Sequence, residues 1–263
     1  MNEPQGARDL AGTFQNYFTI SPALSIEERE LVYRIRHDVY CRDLGWEPIR
    51  PDGMETDDAD AHSIHCLLRQ QGTDEPIGCT RLILAKLDEE LPFEESCRDA
   101  LNRDIVDPKV LPRGTIGEVS RLAVVSAFRQ RKGEQKTAMT SISDTNFAID
   151  QPMPRFPFIP VSLYLAAAAV ARRLQVEHLF VLTEPRLASH FARIGFDIRS
   201  IGNPIEHRGV RVPSLLSSSK IVENLRPMIQ PLYDIVHQSV ELAFNRHPET
   251  IDMLKANGWQ TRI

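Results

Sequence analysis

The chain has 263 residues, of which 42% are hydrophobic and 25% charged; this is enough apolar material for one sizeable core and excludes disorder over most of the length. A formal net charge of −5 gives no basic face for phosphates, so nucleic acid is not an expected partner and any anionic partner must meet a local patch. Cys41, Cys66, Cys79 and Cys97 form no C-x-x-C pair, and the eight histidines show neither H-x-x-x-H nor H-E-x-x-H spacing, so no metal or redox centre is expected.

The N-terminal run to Phe18 is polar and acidic where a secretion signal needs an apolar stretch, and no run reaches the roughly 18 apolar residues of a membrane span. The expectation is a soluble, cytoplasmic protein. Ser25, with Glu28 three residues on, makes a capping box, and Leu31, Ile35 and Val39 recur at helical spacing, which predicts a helix over Ser25–Leu44. An acidic loop follows, with Glu55, Asp57, Asp58 and Asp60. The apolar runs Ser63–Arg69 and Pro76–Ala85 then read as a β-hairpin, and Ile116–Val125 as a strand.

Beyond a basic, polar stretch from Phe128, the Ala-rich run Leu163–Leu174 predicts a helix, and Val176–Leu182 a strand. Pro185–Ile194 predicts a helix ended by Gly195. Phe196–Ile198 and Val210–Pro213 read as further strands, Ile221–Phe244 as a helix, and the last residues as a loosely held end. This order gives an α/β fold with a mixed sheet. We expect an N-terminal extension over 1–24, one domain over 25–220 and a C-terminal helical extension over 221–263.

Two stretches place charge where a sheet core does not favour it. The acidic loop is either a solvated turn or a cluster that binds an amine or orients arginines. In Glu118-Val119-Ser120-Arg121, alternation puts Glu118 and Ser120 on one face and Val119 and Arg121 on the other, unless a bulge intervenes. A carboxylate and a guanidinium within a strand are costly unless paired, as a structural salt bridge or as part of a site. Arg81 poses the same question on the preceding strand. Gln130–Gln135 approximates the pyrophosphate-cradling Q-x-x-G-x-G/A turn, with Gln where a small residue is wanted. Ser217-Ser218-Ser219 has no G-x-S-x-G elbow, which argues against an α/β-hydrolase.

In order, these pieces resemble the acyl-homoserine-lactone synthase family, which has the GNAT-like fold. Arg36 with Tyr40 four residues on, Leu44-Gly45-Trp46, the Glu55-x-Asp57-x-x-Asp60 pattern, Arg81 on its strand, and Glu118-x-Ser120-Arg121 stand in the family's order. Tyr40 replaces the usual Phe. The match covers about residues 25–125; the later run Gly202–Pro213 is instead similar to N-acyl amino acid synthases, and most closely to the acyltransferases associated with the PEP-CTERM/exosortase system.

The resemblance implies a GNAT-like mixed sheet flanked by helices, with an extra C-terminal helix, and N-acyl transfer from a thioester to an amino-acid-like amine. Glu118 would be the base, Arg81, Arg121, Asp57 and Asp60 its supporting network, and Arg36, Tyr40 and Trp46 the acceptor pocket. No bound cofactor is implied; an acyl-carrier-protein or acyl-CoA thioester is the co-substrate. Arg129, Arg131, Lys132 and Lys136 form a basic patch that would meet an acidic carrier protein, or else a solvated loop. Leu165, Val170 and Phe180 are assigned to the acyl chain. The alternatives are a lactone synthase using S-adenosylmethionine, a CoA-dependent acetyltransferase, and a lipid-binding module without catalysis.

Overall fold

The computed structural model describes residues 10–128 and 158–260. Helix α1 (Leu10–Tyr17) runs directly into strand β1 (Phe18–Ala23), which pairs antiparallel with β2 (Ser63–Gln70) from Phe18↔Gln70 to Ala23↔His65. Residues 18–23 are therefore an integral edge of the sheet, and Phe14 of α1 and Phe18 are buried in the main core.

The capping box predicted at Ser25 is present: its hydroxyl accepts from the Glu28 amide, and the Glu28 carboxylate accepts from the Ser25 amide. Helix α2 (Ile26–Arg36) continues into a π-helical turn, His37–Asp43, a wider winding found mostly at functional positions. The predicted hairpin forms as β2 and β3 (Pro76–Leu84), followed by α3 (Pro92–Ser96) and β4 (Ile116–Val124). After residue 157 come α4 (Phe158–Arg173), β5 (His178–Thr183), α5 (Pro185–Ile194), β6 (Arg199–Ser200), β7 (Ile205–Glu206) and β8 (Val210–Ser217). The chain then forms α6 (Ser218–Asn224), α7 (Gln230–Arg246) and α8 (Glu249–Ala256).

The sheet order is β1-β2-β3-β4-β5-β8-β6, with β7 pairing β8. Among the described strands only β4 and β5 run parallel. The Ala-rich α4 lies between the sheet and α7, its small side chains allowing close approach on both sides, while α2 packs on the opposite face against β1 to β4. Gly195 ends α5 at φ 104°, and a Cβ there would stand 2.2 Å from the Asn224 carbonyl oxygen, so both conformation and space require glycine.

Several predicted elements differ. Phe196–Ile198 is a turn, with the Ile198 amide donating to the Phe196 carbonyl, and Phe196 packs on Phe191 at 5.0 Å; the short strand begins at Arg199. The helix expected over 221–244 is broken, because Pro227 cannot donate to a continuing helix and Pro231 suits the first turn of α7. The C-terminal end is docked: α8 follows, and Trp259 is buried and bridges Lys86.

Candidate active site

Between β3 and β4 the register shifts: Cys79 faces Ala123 and Arg81 faces Ser120, so β4 carries one extra residue. Arg121 lies at this bulge with φ 53°, a left-handed conformation rare for a side chain of its size. Strict alternation would have sent Arg121 to the α4 face. The bulge instead puts Ser120 and Arg121 together on the α2 face with Glu118 and Arg81, while Val119, Leu122 and Val124 join the core against α4.

The arginines and carboxylates meet there. Arg36, with no exposed surface, donates from Nε to Glu55 and from Nη1 to Asp60 Oδ1 at 2.7 Å. Arg81, 1% exposed, donates from Nη1 to Asp57 Oδ1 at 2.5 Å and Asp60 Oδ1 at 2.6 Å, and from Nε to Ser120 Oγ at 3.3 Å. Arg121 Nη2 donates to Asp57 Oδ2 at 2.8 Å and Glu55 Oε1 at 3.2 Å. The acidic loop is shaped for this by its own capping box, in which the Asp57 amide donates to Asp60 Oδ2 at 2.8 Å.

Burial works against ionisation of Glu55, Asp57 and Asp60, but the guanidiniums outweigh it and hold all three carboxyls below their usual range. His65, buried on β2 with Nε2 3.5 Å from Asp60, is pushed down to about 3 by burial and by Arg36 and is therefore neutral. Glu118 titrates the other way: its carboxyl, 7% exposed, is raised by burial, with Arg81 and the Phe93 amide, which donates to Oε2 at 2.8 Å, only partly opposing.

Strand β4 pairs with β5 only through Ile116, Gly117 and Glu118, whose partner is Phe180; past that point β5 keeps its pairing with β8 on the other side while the two parallel strands part. Glu118 thus stands at the apex of an opening in the sheet, beside the bulge.

Tyr40, on the π-helical turn, donates to the Leu122 carbonyl at 2.9 Å and stacks on Trp46 with centroids 6.0 Å apart. Arg121 lies over the Tyr40 ring at 5.7 Å, and Arg208, from the β7–β8 turn, over Trp46 at 5.6 Å. Glu47 is shared by Arg208 and, at 3.9 Å, by Arg121.

Arg36 is spent on Glu55 and Asp60, so its guanidinium does not wall an open pocket. Leu165 and Val170, both on α4, are sealed in the main core, while Phe180 packs on Phe93 at 5.1 Å in a separate cluster, so the three line no common channel. Arg129, Arg131, Lys132, Lys136 and the Gln130–Gln135 turn lie outside the described residues. Sequence reasoning missed His65 and Glu47 and gave Arg208 no role; the charged residues beside Trp46 and in the β7–β8 turn were the available signal.

Residues 35–138 match the acetyltransferase (GNAT) domain. On this match the chain is an acyltransferase. Among solved structures it is similar to TofI in a ternary complex with an inhibitor and MTA, at 20% identity and TM-score 0.55, covering 82% of this chain and 98% of that one. It is also similar to the AHL synthase LasI, at 18% identity and TM-score 0.53, covering 79% and 93%. A third is the CoA-dependent acyl-homoserine lactone synthase BjaI with SAM and isopentyl-CoA, at 18% identity and TM-score 0.50, covering 88% of each chain. No curated protein matches the sequence. These likenesses establish the GNAT-like fold. Among the described residues, no group of ligands suits a metal ion and no helix is long and apolar enough to cross a membrane.

Proposed function

We propose that this acyltransferase moves a fatty acyl group from an acyl-carrier-protein or CoA thioester onto the amine of an amino-acid-like acceptor, as an enzyme of the kind associated with the PEP-CTERM/exosortase system. The observation that carries the reading is Glu118: a buried carboxyl with a raised proton affinity, fixed by the Phe93 amide at the apex where β4 and β5 part. Raised affinity suits a base that must take a proton from an ammonium.

Glu118 removes that proton, directly or through a water. The neutral amine attacks the thioester carbonyl, the C–N bond forms, and collapse breaks the C–S bond, the thiolate leaving with the amine's second proton. Backbone amides at the Arg121 bulge stabilise the oxyanion. Arg81, Arg121, Asp57 and Asp60 hold the site's shape, with Arg36 as a buried tie, and Tyr40 and Trp46 wall the acceptor. The PEP-CTERM link rests on the resemblance of Gly202–Pro213, and the carrier-protein donor on the basic residues near Arg131.

The test is mass spectrometry of lipids from a host expressing the chain, alongside purified protein given long-chain acyl-carrier protein or acyl-CoA and amine acceptors. An N-acyl product absent from the Glu118→Gln host supports the reading. Acyl lactone formed only with S-adenosylmethionine overturns it in favour of a lactone synthase, and an effect that survives Glu118→Gln in favour of a lipid-binding module.

A further inference from the structure

An amino-acid acceptor carries a carboxylate as well as an amine, and the buried guanidiniums of the network are committed to protein carboxylates. Arg36 is wholly buried, and Arg81 faces Asp57, Asp60 and Ser120. The rim is different. The Arg121 side chain is 22% exposed, Asp57 30%, Glu47 23% and Arg208 30%.

Arg208 enters this rim from the far end of the sheet. It sits in the β7–β8 turn at φ 55°, followed by Gly209 at φ 96°, a left-handed pair that folds the turn back. Its guanidinium lies over Trp46, and Nη2 donates to Glu47 and to the Trp46 carbonyl at 3.5 Å. Nε and Nη1 have no bond to the described residues, so one edge of the guanidinium is held in place and the other is open. Glu47, shared by Arg208 and, at 3.9 Å, by Arg121, places the turn close to the β4 bulge. Arg211 is already paired with Glu184 at 2.7 Å.

The geometry points to Arg208 as the residue that selects an acceptor bearing a carboxylate: an α-amino acid whose carboxylate meets the open edge of Arg208 while its ammonium lies toward Asp57 and Glu47. A planar guanidinium positioned on an aromatic face suits a carboxylate, with little further ordering on binding. This inference rests on the acyl-transfer reading and names the acceptor class for the same site.

The experiment offers wild type, Arg208→Gln and Arg208→Lys an equimolar mixture of the common α-amino acids with a long-chain acyl thioester. The amino acid selected is then compared with its decarboxylated amine, both as acceptor, by product mass spectrometry, and as ligand, by calorimetry. Wild type should favour the amino acid by about 10- to 100-fold, the range of a charge-assisted hydrogen bond. Arg208→Gln should collapse that ratio through KM rather than kcat, and Arg208→Lys should keep part of it. Equal use of acid and amine by wild type, an unchanged ratio in Arg208→Gln, or no amino acid bound or used at all overturns the inference. Amino-acid binding that depends on Arg208 without any transfer supports the inference and sinks the acyl-transfer reading alone.

Discussion

Replacing Arg81 by Ala probes the ionic network most directly. Arg81 makes bonds of 2.5 Å to Asp57, 2.6 Å to Asp60 and 3.3 Å to Ser120, all at a side chain that is 1% exposed. Without it, Asp60 keeps Arg36 and a neutral His65, Asp57 keeps Arg121, and a guanidinium-sized space opens beside two carboxylates. Breaking a buried pair in this way costs roughly 3–5 kcal/mol. For a chain of this size each kcal/mol moves Tm by about 2–4 °C, so the variant should melt roughly 6–20 °C below wild type near neutral pH. The pH dependence adds a sign. Because Asp57 and Asp60 have lowered folded-state pKa values, their contribution is present above the unfolded-state value and is lost as pH falls through the folded one. The gap between wild type and variant should therefore narrow on acidification. Calorimetry across that range decides; a soluble Arg81→Ala protein melting within about 2 °C of wild type, or a gap independent of pH, refutes a buried network.

Glu118→Gln keeps the acceptor of the Phe93 N–H bond but cannot take a proton, so single-turnover transfer should fall by about 10²–10⁴ while Tm holds or rises; a lower Tm with an unchanged rate per folded molecule makes Glu118 a structural partner only. Since burial raises Glu118, its stabilising contribution is complete below the unfolded-state pKa and is lost as pH rises through the folded one. The transfer rate should climb over that same upper window, and a limb at the ordinary carboxylate position counts against Glu118 as the base. Charge reversal at Arg131 and Lys132 should slow transfer from an acyl-carrier protein and spare acyl-CoA, with raised salt acting the same way; equal effects on both donors remove the carrier-docking role.

Much of the frame was legible because local rules and tertiary packing agree: the Ser25 capping box, the hairpin, and the Gly195 stop all form where their residues predict. The charged residues were legible as candidates, but their meeting was not. Alternation separates Ser120 from Arg121, and nothing in Glu118–Arg121 announces the bulge that reunites them. The terminal segments misled for a related reason. Residues 1–24 read as an extension and the last residues as a loosely held end, yet Phe18 joins the sheet edge and Trp259 is anchored beside Lys86, contacts set by partners far away in sequence. The family resemblance put Arg36 and Tyr40 in one acceptor pocket. The π-helical turn begins just after Arg36, so the guanidinium stays under the acidic loop while Tyr40 reaches Leu122.

The charge balance gives Glu118 its distinct position. Arg36, Arg81 and Arg121 are matched by Glu55, Asp57 and Asp60, which leaves Glu118 as a further buried carboxyl that takes a backbone amide but, among the described residues, no guanidinium bond of its own. A fully paired carboxylate would be a poor base, since its proton affinity falls with every cation bound. A carboxyl left entirely without donors would lose its orientation. Glu118 lies between these limits: the Phe93 amide fixes it, the field of Arg81 softens its burial, and the network's own carboxylates absorb most of the arginine charge. On the proposed reading, the acceptor ammonium supplies the missing positive charge, and proton transfer to Glu118 neutralises both partners as the amine becomes nucleophilic. Placing three arginines beside the base without suppressing its basicity requires the carboxylates of the acidic loop, which is why the motif's two halves, far apart in sequence, are needed together.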